Sequence, residues 1–215
     1  MSAFCILLDG DVTVSPRLLD KVSGRRTIAA DGGIRHARPL GLVPELWIGD
    51  FDSEPAEAAA LFADVPRLAF PEDKDQTDGE LAAAAARERG AGDLLFVGSF
   101  GGPRVDHAFL HAMHGFSMAA DGLKVMLSDG IQEGYPLHAG SHRIDLPAGT
   151  LFSVIGFTEL ADLSLTGCRW PLSRRQVPFG SSLTLSNVAE GPLDISFGAG
   201  KALVIARFEP MAVEA

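Results

Sequence analysis

Over the first 130 residues, short apolar runs alternate with amphipathic segments, and this alternation constrains the fold more than any other feature of the chain. Phe4 to Leu8, Thr27 to Ala30, Leu46 to Ile48, Arg67 to Phe70, Leu94 to Val97 and Lys124 to Leu127 read as strands. Helices are expected after Ser15-Pro16, a cap and first-turn pair, and over Ile34 to Leu40, Pro55 to Phe62, Asp78 to Arg89 and Val105 to Ala119. Strands that alternate with helices predict a doubly wound, mostly parallel α/β sheet with helices on both faces. Four of the strands run into an acid: Asp9, Asp31, Asp50 and Asp129. Open parallel sheets bind ligands outside the carboxyl ends of their strands, so these carboxylates are placed where a site is expected.

From about Gly130 the pattern changes. Apolar runs at Leu151 to Phe157, Leu183 to Leu185, Ile195 to Phe197 and Leu203 to Phe208 are separated by turns rich in Gly, Pro, Ser and Asn. A smaller antiparallel β-sandwich or barrel is therefore expected to follow, giving an α/β domain over residues 1–135 and a β domain over 136–215. The formal net charge of −10 argues against nucleic acid or an anionic membrane as partner. Cys5 and Cys168 alone provide neither a disulfide framework nor zinc spacing. The N-terminus lacks the basic region of a signal peptide, and no stretch reaches the ~20 apolar residues of a membrane helix. A cytoplasmic enzyme or binding protein is the expectation.

Four segments carry the chemistry. Asp73-Lys74-Asp75-Gln76-Thr77-Asp78 crowds three carboxylates just before a helix, and Thr77 with Glu80 has capping-box spacing. Crowded acids repel one another unless a cation offsets them, and a hard metal shared with phosphate oxygens would do so. In Gly49-Asp50-Phe51-Asp52-Ser53, extended alternation would put Asp50 and Asp52 on one side and turn Phe51 into the core. Asp31-Gly32-Gly33 offers glycines and helix N–H groups to a ligand. Gly98-Ser99-Phe100-Gly101-Gly102-Pro103-Arg104-Val105-Asp106-His107 is a glycine-rich loop whose Arg104 suits phosphate and whose Asp106 is positioned to cap the next helix. His107, His111 and His114 share a helical face. Further on, Trp170 and the turn at Ser186-Asn187 stand out.

Taken together, Ala30 to Gly33, Gly49 to Ser53, Asp73 to Asp78, the Gly101 to His107 series and, more loosely, Ser186-Asn187 resemble the thiamine pyrophosphokinase (thiamine diphosphokinase) family. The resemblance implies transfer of the diphosphate of ATP to the thiamine hydroxyl, Mg2+ as cofactor, and a homodimer with its active sites between subunits. It implies that Asp50, Asp52 and Asp75 are catalytic, and that these three with Asp73 hold the metal. Asp31, Gly32, Gly33, Gln76, Thr77, Asp78, Arg104, Asp106, Ser186 and Asn187 would bind nucleotide, phosphate or thiamine. The chain departs from the family pattern at Pro103, between the glycines and Arg104. It also lacks the aromatic that many relatives carry after Ser-Asn, having Val188-Ala189-Glu190 instead; Trp170 is a candidate replacement. Those departures leave room for a pyrophosphokinase acting on another small alcohol, such as a hydroxymethylpterin. A non-catalytic nucleotide or thiamine binder would be expected to have lost metal acids. A zinc hydrolase would need the three histidines to converge.

Overall fold

The computed structural model describes residues 2–51, 56–70 and 75–208. Six strands are parallel: β1 (Ser2–Leu7), β2 (Arg26–Ala30), β3 (Leu46–Gly49), β4 (Arg67–Ala69), β5 (Ala91–Val97) and β6 (Lys124–Ser128). The helices between them are α1 (Pro16–Val22), α2 (Ala56–Leu61), α3 (Asp78–Glu88) and α4 (Val105–Ala120). Five antiparallel strands follow: β7 (Gln132–Ile144), β8 (Leu151–Gly156), β9 (Leu160–Cys168), β10 (Leu172–Val177) and β11 (Asn187–Arg207).

Strand alternation explains why the parallel sheet is covered twice. Phe4, Ile6 and Leu8 point to one face, where Ala82, Ala83 and Ala86 of α3 and Phe116 of α4 pack on them. Cys5 and Leu7 point to the other, against Leu18 and Val22 of α1 and Phe62 at the end of α2. Both rows are buried, as the side chains of a two-sided parallel sheet must be. The alanines of α3 let that helix lie close to the sheet. Gly90 (φ +83°) then ends it in the left-handed conformation that glycine adopts without strain.

The strand order is β10-β9-β11-β7-β6-β5-β1-β2-β3-β4, with β8 paired to β11. β7 lies antiparallel to β6 and joins the two halves into one hydrogen-bonded sheet, crossing residue 135 without a break. Beyond it, β8 pairs with both ends of β11 and closes the antiparallel region over Phe152, Val154, Leu163, Leu165, Leu193 and Ile195. Among the described residues, no helix is long and apolar enough to cross a membrane.

Three local expectations are corrected. The segment after β2 forms a 3-10 helix over Asp31–His36 instead of a helix over 34–40. A Cβ on Gly33 would sit 2.2 Å from the Leu7 carbonyl oxygen, so this turn is pressed against β1 and tightens early. The Leu183 to Leu185 run is a turn, tied to β8 by the Val154 N–H donating to the Thr184 carbonyl at 2.9 Å. Phe51 has φ +62°, so the chain leaves β3 through a left-handed residue and the extended alternation stops at Asp50. The Phe51 ring still reaches inward, edge-on to Trp47 at 5.2 Å.

Candidate active site

A cavity of about 700 Å³ opens at the carboxyl ends of β1, β2, β3 and β5. Its walls come from five connections: Leu8 to Gly10, Ala30-Asp31, Asp50, Gln76 to Gly79, and Gly98 to Arg104 with the first turns of α4. The first and last of these are back to back. A Cβ on Gly10 would lie 2.2 Å from the Gly98 carbonyl oxygen and 2.7 Å from that of Gly101, so only glycine lets the two loops meet.

Asp31 and Asp50 follow β2 and β3 directly and both line the cavity. Asp31 stands at φ +45°, and its carbonyl accepts a hydrogen bond from the buried Trp47 indole at 3.0 Å. Asp9 also lines the cavity, where Arg35 pairs with its carboxylate. Arg35 and His36 both reach the Gly10 carbonyl, at 3.3 and 2.8 Å, and so pin the first loop. Of the four strand-end acids, Asp129 is turned to another use. Its carboxylate accepts from the Ile131 and Gln132 N–H groups at 2.8 and 2.6 Å and from the Gln132 amide at 2.9 Å, holding the turn into β7.

The capping box before α3 is formed. The Glu80 N–H donates to Thr77 Oγ1 at 3.3 Å, and the Thr77 N–H donates back to Glu80 Oε2 at 2.9 Å. This fixes the helix start beside the cavity and puts Gln76, Thr77 and Asp78 in its wall. Asp75 is exposed in the bend just before them and is not among the wall residues. Asp52 and Asp73 lie outside the described residues. Gly32 and Gly33 do not face the cavity either, because their open sides are taken by the Asp9 carboxylate and the β1 backbone.

On the far wall, α4 begins at Val105, so Asp106 lies in the first turn and does not cap it. Arg104 and Asp106 form a two-pronged pair at 2.9 and 2.7 Å, both largely exposed. The Arg104 hydrogen bond holds the Asp106 carboxyl well below its usual range. An exposed pair of this kind is weakly held, so the guanidinium can exchange Asp106 for a phosphate. His107 and His111 also line the cavity, with ring centroids 6.2 Å apart. The His111 Nδ1 lies 3.2 Å from the Ser99 carbonyl, which only accepts, so Nδ1 carries the proton. Burial lowers the His111 pKa and favours the neutral ring, which leaves Nε2 as an acceptor. His114 turns instead toward Phe96, so the three histidines do not converge. Among the described residues, no group of three or more His, Cys, Asp or Glu side chains is arranged to hold a metal. Asp31, Asp50 and Asp78 line the cavity as separate carboxylates.

Ser186 and Asn187 lie away from this cavity. Ser186 adopts φ +58° and donates its N–H to Ser153 Oγ at 3.0 Å. The Asn187 side chain is buried and fully engaged. Its Oδ1 accepts from the Trp170 N–H at 3.2 Å and from Val188 N–H at 2.8 Å, and its Nδ2 donates to the Trp170 carbonyl at 2.9 Å. Asn187 therefore holds the turn that presents the exposed Trp170 indole. Arg35, which pairs with Asp9, is a support residue that sequence reasoning does not single out; Asp9, Ser99 and His111 stand in segments it marks, though not in these roles.

Two family models match the chain: the thiamin pyrophosphokinase catalytic domain over residues 19–127, and the thiamin pyrophosphokinase vitamin B1 binding domain over 141–201. A thiamine pyrophosphokinase of Bacillus subtilis is 29% identical over 164 residues, covering 74% of this chain and 76% of that protein. The crystal structure of a thiamine pyrophosphokinase from the same species superposes with a TM-score of 0.86 at 25% identity, over 97% of this chain and all of that one. One from Geobacillus thermodenitrificans gives 0.81 at 26%, over 99% and 100%. The enzyme from Candida albicans has the same fold, with a TM-score of 0.81 at 11% identity over 96% of this chain and 90% of its own.

Proposed function

The chain belongs to the thiamin pyrophosphokinase family, and from that premise we propose that its cavity transfers the diphosphate of ATP to the hydroxyl of thiamine, giving thiamine diphosphate and AMP. The observation that carries this reading is the set of carboxylates at neighbouring strand ends and the adjacent helix start, Asp31, Asp50 and Asp78, around one cavity of substrate size. Net diphosphate transfer breaks the bond between the β-phosphorus and the oxygen bridging it to the α-phosphate, and forms one from the thiamine oxygen to that phosphorus. AMP leaves with the bridging oxygen, and the thiamine hydroxyl loses its proton.

Such a transfer depends on positioning and on neutralising charge. Magnesium, held by Asp50 with Asp52, Asp73 and Asp75, would neutralise the triphosphate. Arg104 exchanges Asp106 for phosphate oxygens, and Thr77 and Gln76 orient the nucleotide from the α3 start. Asp75 or Asp52 accepts the hydroxyl proton. Thiamine is a cation, so an acidic cavity favours its entry.

Residues 1–135 act as the nucleotide half and 136–215 as the thiamine half, with Trp170 as the stacking aromatic. None of the residues lining the acidic cavity comes from 141–201. A homodimer resolves this separation by bringing the Trp170 turn of one copy to the cavity of the other. Exposed Phe109 and Phe179 line one apolar groove with Phe100 and Phe157, the kind of surface such a contact needs. The working compartment is the cytoplasm.

Incubation with ATP, magnesium and thiamine should yield AMP and thiamine diphosphate in equal amounts. Asp50→Asn should abolish turnover while leaving the far-UV circular dichroism unchanged. Formation of ADP, or turnover with a hydroxymethylpterin but not with thiamine, would overturn the reading.

A further inference from the structure

A second cavity, of about 600 Å³, lies at the opposite end of the sheet, where β5 and β6 begin and β7 passes. It shares no wall residue with the first. Its composition runs against the charge of the chain. In a protein of net charge −10, this cavity is lined by Lys21, Arg25, Lys124 and Arg143, against Asp93 and Asp145.

The cations are only partly satisfied. Asp93 serves two of them at once, accepting from Arg25 Nη1 at 2.7 Å and lying 3.3 Å from Lys124 Nζ. Arg25 is fixed further by the Lys21 and Phe4 carbonyls, at 2.8 and 3.3 Å, so its guanidinium is held in one place. Arg143 uses Nη1 alone, for both oxygens of Asp194, and leaves the rest of its fork for another acceptor. Lys21 has no ion-pair partner among the described residues. The floor is apolar, with Leu123, Val125, Leu137 and Ile144. The negative end of α4 points here, but His138 Nε2 donates to the Phe116 carbonyl at 2.8 Å and covers one of its acceptors.

We propose that this cavity is a second ligand site, separate from the acidic one, that takes a small phosphate ester with an apolar body. Its phosphate meets the remaining Nη2 of Arg25, the open side of the Arg143 fork and the ammonium groups of Lys21 and Lys124, while its body covers the apolar floor. Planar guanidinium forks match phosphate oxygens in pairs, and a concave apolar site with a few charged groups at its rim is the usual form of a small-molecule pocket. Neither nucleotide nor thiamine is required for it.

Phenyl phosphate is a suitable probe, titrated calorimetrically into the full chain after divalent cations have been removed with EDTA. Without a metal, the carboxylates of the first cavity repel the probe. One equivalent per chain is expected, with affinity falling as salt is raised. Lys21→Ala/Arg143→Ala should weaken binding at least 10-fold while leaving kcat for the family reaction unchanged, and Asp50→Asn should bind as wild type. Inorganic phosphate should bind less tightly and phenol not at all. The proposal is overturned by the absence of saturable binding, by equal binding in the double variant, by loss of binding in Asp50→Asn, or by inorganic phosphate binding as tightly as the ester.

Discussion

Asn187→Ala is the substitution that separates positioning from chemistry most cleanly. The side chain is 8% exposed and joins residues far apart in sequence: Trp170, through both its N–H and its carbonyl, and Val188 next to it. Alanine removes the amide and leaves the Trp170 and Val188 N–H groups to find other partners, while the Trp170 carbonyl keeps only the Cys168 thiol, at 3.6 Å. A hydrogen bond contributes about 1 kcal/mol net, and a buried group left unpaired costs more. Trp170 lies at the surface, so water can reach part of the deficit. We expect a loss of about 2 kcal/mol, seen in urea unfolding as a lower midpoint with an unchanged slope. If Trp170 stacks on thiamine, loosening its turn should raise KM for thiamine ~10-fold and leave kcat and KM for ATP near wild type. Fluorescence gives a second readout, because the other tryptophan, Trp47, is buried. Asn187→Asp keeps the acceptor and should fall between the two. A variant with wild-type stability and wild-type KM for thiamine would refute the reasoning. A fall in kcat alone would show that Asn187 acts on the transferring group and not through Trp170.

Three further outcomes are expected. Thr77→Ala removes one arm of the capping box and should cost about 1 kcal/mol, seen as a Tm drop of ~2–4 °C for a chain of this size, while Thr77→Ser restores most of it. Burial, ahead of neighbouring charges, holds His36, His111 and His114 below the 6.5 of a free imidazole. The unfolded chain therefore binds more protons below pH 6.5, and stability should fall as the pH drops from there through the lowered folded values. His111→Asn should flatten that slope in urea unfolding measured between pH 7.5 and 5, and an unchanged slope would remove His111 from the account. Phe109→Asp and Phe179→Asp place charge on the exposed apolar surface; each should shift the protein to a monomer by light scattering and lower turnover more than 10-fold, whereas a fully active monomer would contradict the shared site.

The features legible in the sequence are those set by neighbours a few residues apart. The six parallel strands, the Ser15 and Thr77 caps and the acids at strand ends depend on local apolar runs and on spacings of one to four residues. What could not be read depends on distant partners. Asp129 has the same local setting as Asp31 and Asp50, yet the turn into β7 claims its carboxylate. The left-handed backbone at Phe51 is invisible in a sequence, because a non-glycine adopts it only when tertiary contacts hold it there. The role of His111 follows from a carbonyl 12 residues away, and that of Asn187 from a turn 17 residues away.

The same distinction bears on the proposed shared site. The α/β half packs on two faces of its sheet, with Leu203 of β11 joining one of them, and the antiparallel half adds a cluster of its own across β7 to β11. Folding therefore leaves the acidic cavity open and Trp170, Phe109 and Phe179 in solvent. Scattered apolar residues on a surface need no explanation. A groove walled by Phe100, Phe109, Phe157 and Phe179, next to the cavity and sharing Ala108 with it, is a different matter. Burying that groove against a second copy would add stabilisation the single chain lacks, and in the proposed homodimer the same contact would carry the vitamin B1 segment toward the carboxylates. Dimerisation and thiamine affinity should then fall together in any variant of that groove, even one that touches neither substrate.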